Sequence, residues 1–97
     1  MPVVSNTSPV LNLAIIDQLS LLQAQFGEIR LPEAVVGELR VGENLPGSRA
    51  VRESLEVGWL RVYEAKDKTL IQVLQRDLDG GEAEAIALAL QMEASQV

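Results

Sequence analysis

Apolar residues along the chain fall into short clusters of strand type and longer stretches with helical spacing. Residues 2–4, 28–31 and 59–63 have the β-branched or aromatic composition of short strands. Helices are predicted between and after these strands, at 9–16, from Asp17 to Gly27, from Pro32, at 49–57, from Asp67 or Thr69, and at 82–92. This alternation predicts an α/β fold, with a parallel sheet and helices on its faces.

Proline, glycine and small polar residues mark the ends of these elements. Ser8 is predicted to cap the first helix with Pro9 in its first position, because the missing N–H of proline costs nothing there. The run Asp79-Gly80-Gly81 is predicted to be a break before the last helix. No strand is predicted after that helix. The pattern therefore predicts that residues 1–97 form a single, incomplete domain whose final strand or strands are missing.

The residue types that are present limit the chemistry. The chain contains no cysteine and no histidine, which excludes disulfides, thiolate or imidazole metal sites, and Ser-His-Asp or Cys-His catalysis within one chain. Chemistry must come from carboxylates, hydroxyls, amides, lysine or arginine. The amino terminus lacks the features of a signal peptide, and no stretch approaches the roughly 20 apolar residues that span a membrane. We therefore expect a cytoplasmic protein without a membrane partner.

Charge is distributed unevenly along the chain. The formal net charge is −6, and all eight basic residues lie between Arg30 and Arg76. Residues 77–97 carry five acidic residues and no basic one. The net charge argues against a simple phosphate-binding surface, and the acidity at this end favours binding of a cation.

Three stretches of the sequence resemble a known family. Residues 3–10 (VVSNTSPV) resemble the first strand and turn of PIN domains, particularly those of the DUF3368 group. Residues 31–39 (LPEAVVGEL) resemble the second strand and its following helix, and residues 79–89 (DGGEAEAIALA) resemble the third acidic motif. The resemblance covers essentially the whole chain. It implies a three-layer α/β/α PIN-like fold with a short parallel sheet.

The resemblance also implies a site and an activity. PIN domains gather acidic residues at the carboxyl edge of the sheet, where Mg²⁺ or Mn²⁺ is held and activates water for attack on an RNA phosphodiester. Asn6 stands where the family has its first acid, and the fourth acid belongs to a strand that we do not expect in this chain. By this resemblance the catalytic residues are Asn6, Glu38 and Glu82, the metal ligands are these three and Glu84, and the supporting hydroxyls are Thr7 and Ser8.

Each of these residues also has an ordinary structural explanation. Asn6 to Pro9 could form only a capped turn, and Glu38 could be a solvated residue on an amphipathic helix. Glu82 and Glu84 lie in a first helical turn, where a carboxylate favours the positive end of the helix dipole. The sequence leaves open which of these two is the metal ligand.

Three functional hypotheses follow. The first is a metal-dependent endoribonuclease of the toxin–antitoxin type, which cleaves RNA and is neutralised by a small antitoxin protein. The alternative is a non-catalytic PIN-fold remnant or interaction module that forms a homodimer or higher oligomer, because an uncovered strand edge is a pairing surface. The third is a small α/β regulatory domain unrelated to nucleases, in which Glu38→Gln and Glu82→Gln would have no effect.

Overall fold

The computed structural model describes residues 2–93 and 95–96, which form four strands and six helices. The strands are β1 (Val3–Val4), β2 (Ile29–Pro32), β3 (Leu60–Tyr63) and β4 (Ser95–Gln96). The helices are α1 (Thr7–Ile15), α2 (Ser20–Phe26), α3 (Glu33–Leu39), α4 (Ser48–Val57), α5 (Lys68–Leu74) and α6 (Gly80–Gln91). The strands lie in the order β3-β2-β1-β4, and every neighbouring pair is parallel. The predicted α/β fold with a short parallel sheet is confirmed.

Helices cover both faces of the sheet. Successive strand residues point to opposite faces, and the two residues of β1 accordingly join different cores. Val3 packs with Val10 of α1 and Val51 of α4, whereas Val4 packs with Ile71 of α5 and with the buried alanines of α6. The expected three-layer α/β/α arrangement is therefore present.

The structure corrects the expectation that no strand follows the last helix. Ser95 and Gln96 pair with Val3 and Val4, so β4 extends the sheet beyond β1. Both residues are polar, and their side chains gave no strand signal in the sequence. Glu93, which precedes β4, has a positive φ of 50°.

The first helix begins earlier than the sequence predicted. Thr7 is its first residue and Asn6 its N-cap, so Ser8 does not cap it and Pro9 is its third residue. Proline is still tolerated there because the first backbone N–H groups of a helix have no intrahelical partner. Asn6 is extended, with φ −87° and ψ −173°, but its side chain makes no capping hydrogen bond.

Two other helix starts also differ from the sequence pattern. Asp79 caps α6 by accepting a 2.8 Å hydrogen bond from the backbone N–H of Glu82, so the glycine pair lies inside the first turn rather than in a break before it. Asp17 is not an N-cap; it has a positive φ of 58° in the turn before α2. Asp67 does cap α5, as one of the two predicted candidates. No helix in residues 2–93 is long and apolar enough to cross a membrane.

Candidate functional site

The candidate site lies beyond the end of β1, where α1 begins and where the last turn of α3 meets the first turn of α6. The completely buried Ser5 continues β1, and its backbone N–H donates a 3.1 Å hydrogen bond to the carbonyl of Arg30. Asn6 comes next, between β1 and α1. Glu38 lies in α3, and Glu82 lies in the first turn of α6. Ligands of open parallel α/β sheets bind at this carboxyl edge.

The carboxylate of Glu38 connects three helices. Its Oε2 accepts a hydrogen bond from the Thr7 hydroxyl of α1, and its Oε1 accepts a 3.2 Å hydrogen bond from the backbone N–H of Gly81 in α6. Donors on both oxygens restrict the orientation of the carboxylate. The residue as a whole remains exposed, so a cation could still approach it from solvent.

Gly81 makes this approach of α3 to α6 possible. A Cβ at this position would lie 2.2 Å from Oε2 of Glu38 and 2.9 Å from Oε1. Such distances are far shorter than any van der Waals contact. The close passage of Glu38 over the first turn of α6 therefore requires glycine at position 81.

Gly81→Ala is expected to weaken metal binding while leaving the protein folded. The new methyl group displaces the carboxylate of Glu38, which is the end of a flexible side chain, so the backbone need not move. We expect Mn²⁺ affinity to fall by at least about tenfold, whereas alanine favours the helix by up to about 1 kcal/mol over glycine. Calorimetric titration and thermal unfolding measure the two effects.

Gly80→Ala is the matched control for that substitution. A Cβ at position 80 would have Nε2 of Gln75 as its nearest neighbour, at an ordinary 3.6 Å. Its helix propensity changes in the same way, but Glu38 is undisturbed. Equal Mn²⁺ affinity in the two variants would contradict the role assigned to Gly81.

Glu82 lies in a locally negative environment. The charge of Asp79 is the main cause that raises the pKa of the Glu82 carboxyl above its ordinary value; partial loss of hydration, a hydrogen bond with Asp79 and the charge of Glu38 act in the same direction. In the metal-free protein this repulsion is relieved when Glu82 binds a proton. A divalent cation would relieve it as well.

Asp79→Asn is expected to extend Mn²⁺ binding to lower pH. Protons compete with the metal for Glu82, so binding is lost as pH falls through the raised pKa. Asparagine keeps an oxygen that can cap α6 but removes the charge, so the pKa of Glu82 falls towards its ordinary value. The pH midpoint of Mn²⁺ binding, measured from neutral to acidic pH, should shift down relative to wild type and to the exposed control Asp77→Asn. An unchanged midpoint would contradict this explanation.

Through Glu82, the stability of the metal-free protein should respond to pH in the opposite direction from Mn²⁺ binding. Its raised pKa means that the folded state binds this proton more tightly than the unfolded state does. The favourable contribution of the proton to folding is therefore complete below the unfolded-state pKa, and it is lost as pH rises through the folded-state pKa.

Glu84 has a structural partner of its own. Its Oε1 accepts a 3.0 Å hydrogen bond from the backbone N–H of Ala34, in the first turn of α3. Such N–H groups have no partner within their own helix, so Glu84 stabilises the start of α3. The charge of Glu38 contributes to the raised pKa of Glu82.

The Asn6 side chain supplies an oxygen that lacks a partner. Its Oδ1 is buried and accepts no hydrogen bond within the described part of the chain. A buried acceptor without a donor costs free energy, and a bound cation would satisfy it. Of the two hydroxyls predicted beside the site, that of Thr7 contacts Glu38, whereas Ser8 is exposed.

These residues have suitable chemistry for a hard divalent cation. Asn6, Glu38 and Glu82 offer amide and carboxylate oxygens, which Mg²⁺ and Mn²⁺ prefer. Within residues 2–93, no three acidic residues are arranged to hold a metal by themselves. A metal here would therefore depend on the amide oxygen of Asn6 and on water or substrate oxygens as further ligands.

Two important residues of this region were not among the predicted site residues. Asp79 sets the charge environment of Glu82, and Gly81 donates to Glu38. Asp79 followed three residues later by Glu82 is the spacing of a capping box, which would have indicated the true start of α6. The contact between Gly81 and Glu38 arises from the packing of α3 against α6 and has no local signal.

The fold is α/β, and the carboxyl edge of its parallel sheet carries a candidate cation site of carboxylate and amide oxygens. A family model described as DUF3368, PIN domain, matches residues 2–97. The chain therefore belongs to this PIN-domain family, as the three sequence stretches indicated. No curated protein and no solved structure gave a match.

Proposed function

We propose that this PIN domain is a metal-dependent endoribonuclease in which Asn6, Glu38 and Glu82 hold Mg²⁺ or Mn²⁺. The observation that carries the proposal is the buried Oδ1 of Asn6, which has no hydrogen-bond donor within the described residues. Thr7, the next residue, contacts Glu38, and the pKa of Glu82 is raised in part by Glu38. Membership of the PIN family supports this reading of the edge.

The proposed chemistry assigns a different task to each residue. When bound, the metal supplies a positive charge that activates water and stabilises charge on the phosphodiester. Thr7 and Gly81 orient the carboxylate of Glu38, and its exposure leaves room for a phosphate group. Glu82 must lose its proton to act as a ligand, so activity should fall in acid. In this proposal Glu84 stabilises α3 and does not bind the metal.

The proposed partners are an RNA substrate and a small antitoxin protein. The PIN family suggests both in general terms. An antitoxin that covers the edge formed by Asn6, Glu38 and Glu82 would block access of RNA. Neither its identity nor the RNA sequence follows from the residues of the site.

RNA cleavage by the purified protein tests the proposed activity. We expect internal cleavage of a single-stranded RNA with Mn²⁺ or Mg²⁺ and none with EDTA. Glu82→Gln should lower the rate by at least about 100-fold, since it removes a metal ligand. Glu56→Gln, an exposed change on α4, should have no effect. Equal cleavage by all three proteins would identify a contaminating nuclease, and the absence of cleavage with either metal would refute the proposed activity.

A non-catalytic PIN-fold interaction module is the second candidate function. It is favoured by the amide at position 6 and by the absence of three suitably arranged acidic residues in the described part of the chain. This candidate predicts no cleavage even when Mn²⁺ is bound. The RNA assay together with a metal titration therefore distinguishes the two.

A further inference from the structure

Two arginines lie side by side on neighbouring strands of the sheet. Arg30 of β2 and Arg61 of β3 are partners in the parallel register, and Val4 of β1 is the other partner of Arg30. Residues in register share a face of the sheet, so this row runs from the completely buried Val4 to the exposed Arg61. Neighbouring strands are roughly 4.8 Å apart, a spacing at which like charges repel each other.

One carboxylate offsets the charge of both guanidiniums. Oε1 of Glu28 lies 3.3 Å from Nε of Arg30, and its Oε2 lies 3.9 Å from Nη1 of Arg61. Among the described residues these are the ion pairs of the two arginines, so the group keeps an excess positive charge. The side chains of Glu28 and Arg61 are 40% and 56% exposed. Such a solvated pairing is weak, and another anion can replace the carboxylate.

The ring of Tyr63 holds both guanidiniums at the end of β3. Their central carbons lie 4.7 Å (Arg30) and 5.9 Å (Arg61) from the ring centroid, distances at which an aromatic face attracts a cation. A guanidinium that is already held loses less freedom when it binds a ligand. Its N–H groups fit phosphate oxygens, and its flat face stacks on nucleobases. We call Glu28, Arg30, Arg61 and Tyr63 the paired-arginine surface.

The paired-arginine surface reaches the edge of the sheet that carries the candidate metal site. Tyr63 pairs with Pro32, two residues beyond Arg30, and Asn6 is two residues beyond Val4, the partner of Arg30. Tyr63 is therefore level with Asn6 across two strand spacings, roughly 10 Å. About three stacked nucleotides, at about 3.4 Å each, cover that distance. Nucleotides beside a bond cleaved at the metal site are thus within reach of this surface.

We propose that the paired-arginine surface binds the substrate RNA beside the cleaved bond, with a phosphate of the RNA replacing Glu28 between Arg30 and Arg61. The choice of RNA as the ligand rests on the proposed ribonuclease activity. A phosphodiester has the same charge as the carboxylate and offers an oxygen to each guanidinium. The contact is to the RNA backbone, so it holds RNA of any sequence. Glu28 weakens this binding because it competes with the phosphate.

Removal of Arg61 should weaken RNA binding more than removal of an arginine elsewhere. The probe is a short, fluorescein-labelled single-stranded RNA, and its anisotropy is measured in EDTA so that binding is observed without cleavage. Arg61→Ala should lower the affinity at least about fivefold and reduce the slope of log affinity against log salt by about 0.7, the value for one phosphate contact to a single strand. Arg49→Ala is the control, because it removes the same charge from an exposed arginine that also pairs with a glutamate.

Glu28→Gln should have the opposite effect on RNA binding. It removes the competing carboxylate, and we expect the affinity to rise at least about threefold. Glu53→Gln is its control, since Glu53 pairs with Arg49 and the change in net charge is the same. A gain of affinity cannot arise from partial unfolding of the variant. Equal affinities of the two glutamine variants, or of the two alanine variants, would overturn the proposal.

The outcome for binding is separate from the outcome for cleavage. RNA that binds through Arg61 but is not cleaved with Mn²⁺ would support this RNA-binding surface and refute the proposed activity. Cleavage by a protein whose RNA binding does not depend on Arg61 or Glu28 would do the reverse. A polyglutamate peptide is the competing ligand. If it binds as tightly as RNA and with the same dependence on Arg61, the surface recognises an acidic protein segment and the proposal is overturned.

Discussion

Asn6→Asp is expected to tighten Mn²⁺ binding by at least about tenfold, because affinity for hard cations rises with the number of charged ligands. Aspartate has nearly the same size and shape as asparagine, and the Asn6 oxygen has no donor that the exchange would remove. In the proposed site it adds a third carboxylate to those of Glu38 and Glu82. The same charge should destabilise the metal-free protein, because Glu82 already experiences repulsion from its neighbours.

Calorimetric titration and thermal unfolding with and without Mn²⁺ measure both effects. Asn12→Asp is the matched control, since it makes the same chemical change at an exposed position of the same helix. The stabilisation that Mn²⁺ adds should be larger for Asn6→Asp than for wild type. If Asn6→Asp and Asn12→Asp both bind Mn²⁺ with the affinity of wild type, the amide of Asn6 is not a metal ligand.

Gly47→Ala is expected to cause the largest loss of stability, about 3 kcal/mol, from a strained backbone and an overpacked contact together. Gly47 has a φ of +85°, and a Cβ there would lie 2.9 Å from Cβ of Ala14 and 3.0 Å from the carbonyl carbon of Ala14. Ala14 is a buried residue of α1, the helix that begins with Thr7. Backbone atoms cannot give way as a flexible side chain can, so α1 or the loop must shift.

Substitutions at two other glycines distinguish the two causes of that loss of stability. Gly58 has a φ of +102°, but a Cβ there would meet open space. Gly58→Ala should therefore lose only the stability that the left-handed backbone conformation costs, about 1–2 kcal/mol. Gly42 has neither a positive φ nor a neighbour within 4 Å, and Gly42→Ala should change stability little. Denaturant unfolding of the three variants should give losses in the order 47, 58, 42. Equal losses at 47 and 58 would show that the contact with Ala14 does not matter.

Local features of the sequence predicted much of the fold. The alternation of strand-like and helical segments indicated the parallel sheet, and Gly27 does end α2, with a φ of 73°. The strand β4 was not predictable from its side chains, because Ser95 and Gln96 are placed by backbone pairing with β1. Asn6 is the N-cap of α1, but its side chain makes no capping hydrogen bond. No local sequence rule predicts that a capping asparagine lacks this hydrogen bond.

The candidate site was harder to predict because it depends on how helices pack. Glu82 and Glu84 are two positions apart, and 100° of rotation per residue directs them to different sides of α6. Which side meets Glu38, and which meets the start of α3, is decided by the packing of α3 against α6. The contact at Gly81 has the same origin, since it joins residues 43 positions apart in sequence.

The central claim is that Asn6, Glu38 and Glu82 form one metal site, and a calorimetric titration of Mn²⁺ into metal-free protein tests it most directly. Wild type and Glu38→Gln are compared under identical conditions, with circular dichroism to show that both are folded. We predict saturable binding by wild type and its loss in Glu38→Gln. Absence of binding by wild type, or equal binding by both proteins, would contradict the claim.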